Sequence, residues 1–294
     1  MKIKVGSRES KLAVIQSQIV IDAIKKKNPD IEVELVTMKT TGDIILNKTL
    51  DKIGGKGLFV KELDRALLNG DADITVHSFK DMPMDVDERL PIVAVSKRED
   101  ARDVLILPKG QTEIDFSKPI GCSSARRRIQ LQKLYPQCTV KSVRGNVLTR
   151  LDKLDSGEYS ALILAYAGIK RLGLEDRVSR IFETSEILPA ACQGILAVQS
   201  RKDFDVSFLD EFCDKDTLAI SIAERSFIKT LDGGCSSPVA AYGVIENDNI
   251  ILTGLYVEDD ENQYIIKSKT ANKSKAEILG KELAIEMREG YING

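Results

Sequence analysis

The chain has 294 residues, 43% hydrophobic and 30% charged, a length that suggests two or three domains rather than one core. Its 43 Lys and Arg against 45 Asp and Glu leave a net charge of −2, which argues against a protein built to hold long nucleic acid. No apolar run reaches the length of a membrane span, and a single histidine rules out His-rich metal sites.

The N-terminus enters a strand at 2–5 with no apolar leader, so no secretion signal is read. Five cysteines without a Cys-x-x-Cys pair fit a reducing, cytoplasmic setting. Residues 10–27 read as a helix, with Leu12, Ile15, Ile19 and Ala23 on one face and Asn28-Pro29 as its stop. A strand over 31–38, a helix over 59–68 ended by Gly70 and a buried strand over 73–76 complete a β-α-β-α-β order. That order predicts a mostly parallel sheet with helices on its faces.

The charged stretch 97–103 suits a crossing between domains. A second round follows, with strands over 104–107 and 120–121, a helix over 125–134, a strand over 140–143, a helix over 147–156 and a strand over 161–165. The strand-like run 195–199 can return to the first sheet. From Thr217 the pattern changes to a helix ending at Thr230, then antiparallel strands over 240–246, 249–257 and 263–269, then a helix over 275–288. Turns fall at Asn247-Asp248 and at 259–261.

The expected fold class is α/β: two α/β lobes plus a C-terminal α+β domain with a three-stranded antiparallel sheet. The lobes span 1–97 with 194–213, and 98–193, and the last domain spans 214–294. Two such lobes leave a cleft, and ligands lie at domain interfaces and strand C-termini. No dimer seam is visible, so a monomer that requires no protein partner is expected, without nucleic acid or membrane.

Three features carry chemistry. Cys235, in Gly233-Gly234-Cys235-Ser236-Ser237-Pro238, follows a helix end on a loop that can present its sulfur for covalent chemistry. An ordinary loop cysteine has the same neighbours. His77-Ser78-Phe79-Lys80-Asp81-Met82-Pro83 lies just past a strand end. There an ionised Asp81 near cations can stabilise a developing positive charge, although a surface Lys-Asp pair reads alike. His77 suits a structural hydrogen bond at least as well as acid–base work. Arginines form the third feature. Arg8 and Arg144 lie at strand ends, Arg126 and Arg127 follow Ser123-Ser124 at a helix start, and Arg150 and Arg171 lie further on. Helix N-termini with Ser and Arg bind anions, although scattered surface arginines are the plain alternative. Arg128 is the member of its triplet expected to face solvent. Lys52-Ile53-Gly54-Gly55-Lys56-Gly57 lacks the P-loop spacing and reads as a lid or a plain connection.

Taken in order, these segments resemble the porphobilinogen deaminase (hydroxymethylbilane synthase) family. The matching stretches are Gly6-Ser7-Arg8-Glu9-Ser10-Lys11-Leu12-Ala13, Gly54-Gly55-Lys56-Gly57-Leu58-Phe59 and Val76-His77-Ser78-Phe79-Lys80-Asp81-Met82-Pro83. Ser123-Ser124-Ala125-Arg126-Arg127, Arg144-Gly145-Asn146-Val147, Ala167-Gly168-Ile169-Lys170-Arg171 and Gly233-Gly234-Cys235 continue the series. The resemblance implies two lobes like periplasmic binding proteins and a third domain carrying a dipyrromethane cofactor through a thioether, here on Cys235. It implies a transferase that deaminates four porphobilinogens, joins them head to tail on that primer and releases hydroxymethylbilane by hydrolysis.

It also implies Asp81 as the catalytic group. Lys80, Asp81, Ser124, Arg126, Arg127 and Arg144 would contact the cofactor, Arg8, Ser10, Arg144, Arg150 and Arg171 the substrate, and no metal is involved. Each pyrrole carries an acetate and a propionate, which would account for arginines at several strand ends. The chain departs from the family at Cys122, where threonine is common, at Cys192, where glycine is usual, and at Ser236-Ser237. Cys122 and Cys192 would add oxidisable thiols near the cleft. The competing readings are a non-catalytic polyanion-binding protein and a thiol transferase pairing Cys235 with His77.

Overall fold

The computed structural model describes residues 1–40, 60–232, 238–257 and 264–292. Cys235, the loop Gly54-Gly55-Lys56-Gly57 and the turn at 259–261 lie outside them. The chain forms two compact units, Met1–Glu99 with Gly194–Leu218, and Asp100–Gln193 with Ala219–Gly294.

In chain order the first unit contributes β1 (Lys2–Arg8), α1 (Lys11–Lys27), β2 (Glu32–Met38), α2 (Lys61–Asn69), β3 (Ile74–Ser78) and β4 (Ile92–Val95). The second contributes β5 (Asp103–Ile106), β6 (Ile120–Gly121), α3 (Ala125–Leu134), β7 (Val140–Lys141), α4 (Val147–Asp155), β8 (Ala161–Ala165), α5 (Tyr166–Arg171) and β9 (Arg180–Ile181). The chain returns to the first unit with β10 (Leu196–Ser200), and α6 (Lys215–Thr230) begins there. It ends in the second unit with β11 (Ala240–Glu246), β12 (Asn249–Tyr256), β13 (Ile265–Asn272) and α7 (Ala276–Ile292).

The first sheet has the order β2-β1-β3-β10-β4. β1 runs parallel to β2 and β3, while β10 lies antiparallel between β3 and β4. The sheet is mostly parallel, as the local order predicted, and only the returning segment β10 runs against the other strands. The strand β4 is an addition to the expected elements, although Ile92-Val93-Ala94-Val95 is a short apolar, β-branched run of the kind that forms buried strands.

Helix α1 starts at the N-cap Ser10, whose side chain accepts from the Ala13 N–H, and ends at Asn28 before Pro29. Its buried face is Ala13, Gln16, Ser17, Val20, Ile21 and Ile24, not the Leu12, Ile15, Ile19 and Ala23 face, and Ile19 is 39% exposed. Both sets satisfy helical spacing, and Gln16 and Ser17 make the true inner face look polar. Helix α2 closes on Gly70 at φ 77°.

The second unit holds two sheets. The first has the order β7-β6-β8-β5-β9, with β6 parallel to β7 and β8, and β5 antiparallel to both of its neighbours. The other is the antiparallel meander β11-β12-β13, turning between β11 and β12 at Asn247 with φ 56°. Phe227 of α6 and Met287 of α7 are fully buried against this sheet around Gly254. Ile129 of α3 and Leu188 pack with Ala240, Leu255 and Val257, so α3 belongs to the cores of both sheets. Each such fully buried aliphatic side chain contributes about 1.5–3 kcal/mol.

Candidate active site

β1 and β3 are parallel neighbours, with Gly6 opposite Thr75, so their carboxyl ends emerge at one edge of the first sheet. α1 packs against both strands. A pocket at this edge is lined by Arg8, Gln16, His77, Ser78 and Asp81, with Ala13, Val60, Val76 and Met82 as its apolar wall. Gln16 is buried and its Nε2 donates to Ser78 Oγ at 2.9 Å, tying the helix to the strand end.

Phe79, Lys80 and Asp81 form a single 3-10 turn directly after β3. The buried Phe79 anchors the turn, Lys80 is half-buried and Asp81 is exposed. Burial, together with the Arg8 charge, lowers the His77 pKa to about 4. The imidazole is therefore neutral at pH 7, and its Nε2 is 2.9 Å from Thr75 Oγ1. Ser10 is half-buried and serves as the α1 cap.

In the second unit β7, β6 and β8 are parallel, so three more carboxyl ends share an edge. The loop after β6 carries Cys122, Ser123 and Ser124 into α3, with Ser124 as N-cap. The loop after β7 carries Arg144 to the N-cap Asn146, whose side chain accepts from the Thr149 N–H at 3.0 Å. Ser123 joins the two loops: its Oγ donates to Val143 O at 2.6 Å and accepts from Val143 N at 3.0 Å. Gly145 between Arg144 and Asn146 has φ 115°, and a Cβ there would meet Thr149 at 2.8 Å. Arg150 Nε donates to Gly145 O at 2.8 Å. Arg171 ends α5, which follows β8.

Arg126 and Arg127 are buried, and both reach Asp103. Arg126 Nη1 donates to Asp103 Oδ2 at 2.8 Å and to Leu188 O at 2.6 Å. Arg127 Nη2 donates to Asp103 Oδ1 at 2.7 Å and Arg127 Nη1 to Ile163 O at 3.1 Å. Gln193 Nε2 adds a third donor to Asp103 Oδ1 at 2.8 Å. Burial opposes the Asp103 charge, but the two guanidiniums outweigh it and hold the carboxyl below the usual carboxylate range. Arg128 is half-buried and the most exposed of the triplet.

The sequence reading missed Asp103, Gln193 and Gln16, and it placed Ser123 at a helix start without its link to the loop after β7. The available signal for Asp103 was its place as the last acid of a charged stretch, set directly against the apolar run Val104-Leu105-Ile106-Leu107. Cys122 and Cys192 are buried at 5% and 1% exposure, and burial pushes the Cys122 thiol pKa up, which works against the expected oxidation. Among the described residues, no helix is long and apolar enough to cross a membrane.

Fold and site define a class: an α/β protein in which each unit sets arginine at the carboxyl ends of parallel strands, the first adding a carboxylate, as befits a small, multiply charged ligand. The sequence model described as porphobilinogen deaminase, dipyromethane cofactor binding domain, matches residues 3–207, and that of the porphobilinogen deaminase C-terminal domain matches 218–289. A porphobilinogen deaminase of Acetivibrio thermocellus is 72% identical over 291 residues, 99% of each chain. One of Alkaliphilus oremlandii is 68% identical over 295 residues, and one of Chromobacterium violaceum is 43% identical over 287. Coverage is 100% of this chain and 99% of its relative for the former, and 96% and 93% for the latter. Among solved structures, the periplasmic aliphatic sulphonate binding protein SsuA from Escherichia coli aligns with TM-score 0.42 and 10% identity, covering 79% of this chain and 70% of that one.

The chain belongs to the porphobilinogen deaminase family. It is an enzyme of tetrapyrrole synthesis that deaminates porphobilinogen, condenses four molecules on a dipyrromethane primer and releases hydroxymethylbilane. The donor set fits such a group. Arg126 and Arg144 each keep a buried Nε without a hydrogen-bond partner among the described residues, and guanidiniums suit the acetate and propionate carboxylates of pyrroles.

Proposed function

We propose that Asp81 is the catalytic group and that Cys235 anchors the cofactor. The observation that carries the first assignment is an exposed carboxylate on a 3-10 turn anchored by the buried Phe79, sharing one pocket with Arg8 and a neutral histidine. Asp81 stabilises the positive charge that develops on porphobilinogen as ammonia leaves, and it takes up the proton displaced when the new bond forms. Arg8 binds a substrate carboxylate beside it, and Ser10 adds a hydrogen bond. Bound dipyrromethane supplies the pyrrole carbon to which the first porphobilinogen is joined.

Lys80, Ser124, Arg126, Arg127 and Arg144 hold the cofactor's carboxylates, and Arg144, Arg150 and Arg171 hold those of the substrate. Arg126 contributes its Nε, which has no hydrogen-bond partner among the described residues. The reading divides the chain into three domains, 1–97 with 194–213, 98–193 and 214–294, acting as a monomer in the cytoplasm. It needs no nucleic acid and no stable protein partner.

The test is the intact mass of the purified protein beside Cys235→Ala. Extra mass of two pyrrole units in the wild type, absent from the variant, supports the anchor. An unmodified, folded wild type that gains no mass after incubation with porphobilinogen overturns it.

A further inference from the structure

We propose that Asp103 is a positioning residue for cofactor loading: it sets the guanidinium planes of Arg126 and Arg127 before the cofactor arrives. This rests on the reading that the pair holds cofactor carboxylates. β5 is antiparallel to β8, with Asp103 opposite Ala165, so the first residue of β5 lies at the edge where β8 ends. The reversed strand thus brings a carboxylate beneath the start of α3. Asp103 is 0% exposed, and its two oxygens accept from Arg126, Arg127 and Gln193 at 2.7–2.8 Å.

A bare surface pair of arginines would sample many rotamers, and binding would have to bear the cost of ordering each one. Here Arg126 is held through Nη1 by Asp103 and Leu188 O, and Arg127 through Nη2 by Asp103 and through Nη1 by Ile163 O. Arg126 is 3% exposed, yet its Nε has no acceptor among the described residues. A buried donor without a partner costs free energy, and an incoming carboxylate would remove that cost. Gln193 locks the opposite side of the carboxylate by also donating to Ala101 O at 2.6 Å. Asp103 therefore acts through the arginines and does not touch the ligand.

The experiment measures the rate at which unloaded protein gains cofactor mass on incubation with porphobilinogen, together with the thermal midpoint. Asp103→Asn keeps the shape but turns an amide donor toward one guanidinium, and loading is expected to slow at least tenfold. Leu162→Ala, a core truncation in the same sheet, supplies a comparably destabilised control that loads at the wild-type rate. Loading of Asp103→Asn within twofold of wild type, or equal slowing in Leu162→Ala, overturns the proposal. Arg126→Lys tests the underlying reading separately: if it loads normally, that reading fails and this one with it. Should Asp103→Asn not fold, Gln193→Leu removes the donor that fixes the Asp103 carboxylate, so both guanidinium planes are expected to loosen. Several-fold slower loading then supports the proposal, and unchanged loading overturns it.

Discussion

His77 Nε2 and Thr75 Oγ1 lie 2.9 Å apart on one face of β3, both side chains buried. Burial, with the Arg8 charge adding to it, lowers the His77 pKa from 6.5 to about 4. Between those values the unfolded chain binds a proton that the folded one does not, so this group makes stability rise with pH across that window. The shift corresponds to about 3 kcal/mol. His77→Gln should flatten the stability curve between pH 7 and pH 4 by up to that amount, as measured by urea unfolding. Parallel curves for variant and wild type would exclude the assignment. The variant should also keep substantial turnover, whereas a Cys235–His77 transferase would lose it.

Asp81 sits exposed on a turn whose fold depends on the buried Phe79. Asp81→Ala should leave the thermal midpoint within a few degrees of wild type, because a surface carboxylate contributes little to stability. Turnover should fall by at least a hundredfold, a typical loss for a group acting on charge in the transition state. Steady-state release of ammonia from porphobilinogen is the assay, and a rate near wild type would remove Asp81 from the mechanism.

Strand ends were legible because their signals are local: Gly6-Ser7-Arg8 and His77 to Pro83 each follow a short strand-like pattern, and Arg144 precedes a capping Asn146. The helix over 125–134 and the strands over 161–165 and 240–246 match the structure residue for residue. What stayed hidden depends on distance along the chain. The pairing of Asp103 with Arg126 and Arg127 spans 23 and 24 residues and exists only because β5 is reversed beside β8. The inner face of α1 was misread because Gln16 is buried to reach Ser78, 62 residues away.

Cys192 holds φ 60°, the left-handed region where a side chain costs about 1–2 kcal/mol. Its N–H donates to Glu224 Oε2 at 2.6 Å, while Glu224 Oε1 accepts from Gly243 N at 2.7 Å, so the strained residue is held by a buried carboxylate. Cys192→Gly would relieve the strain but lose a small buried side chain worth about 1 kcal/mol. The unfolding midpoint should therefore barely move. Cys192→Val puts a β-branched side chain into the left-handed region, which such residues almost never adopt, and should cost more than about 2 kcal/mol. Similar midpoints for the two variants would show that the backbone there relaxes freely.

Asp64 has its pKa raised from 3.8 to about 6 by burial, with the Asp87 charge adding to it, and its Oδ1 is buried without a hydrogen-bond partner among the described residues. Between those pH values the folded state keeps a proton that the unfolded state has lost. Stability from this group therefore falls as pH rises through the window, and the full cost is present above about pH 6. Asp64 is only half-buried and lies in the first turn of α2, where an acid interacts favourably with the helix dipole. Discounted for both, the net penalty is about 1 kcal/mol. Asp64→Asn should stabilise the protein by that amount at pH 8 and by nothing at pH 3.5. Chemical unfolding at the two pH values checks this, and a gain that is equal at both would mean that packing, not charge, governs the position.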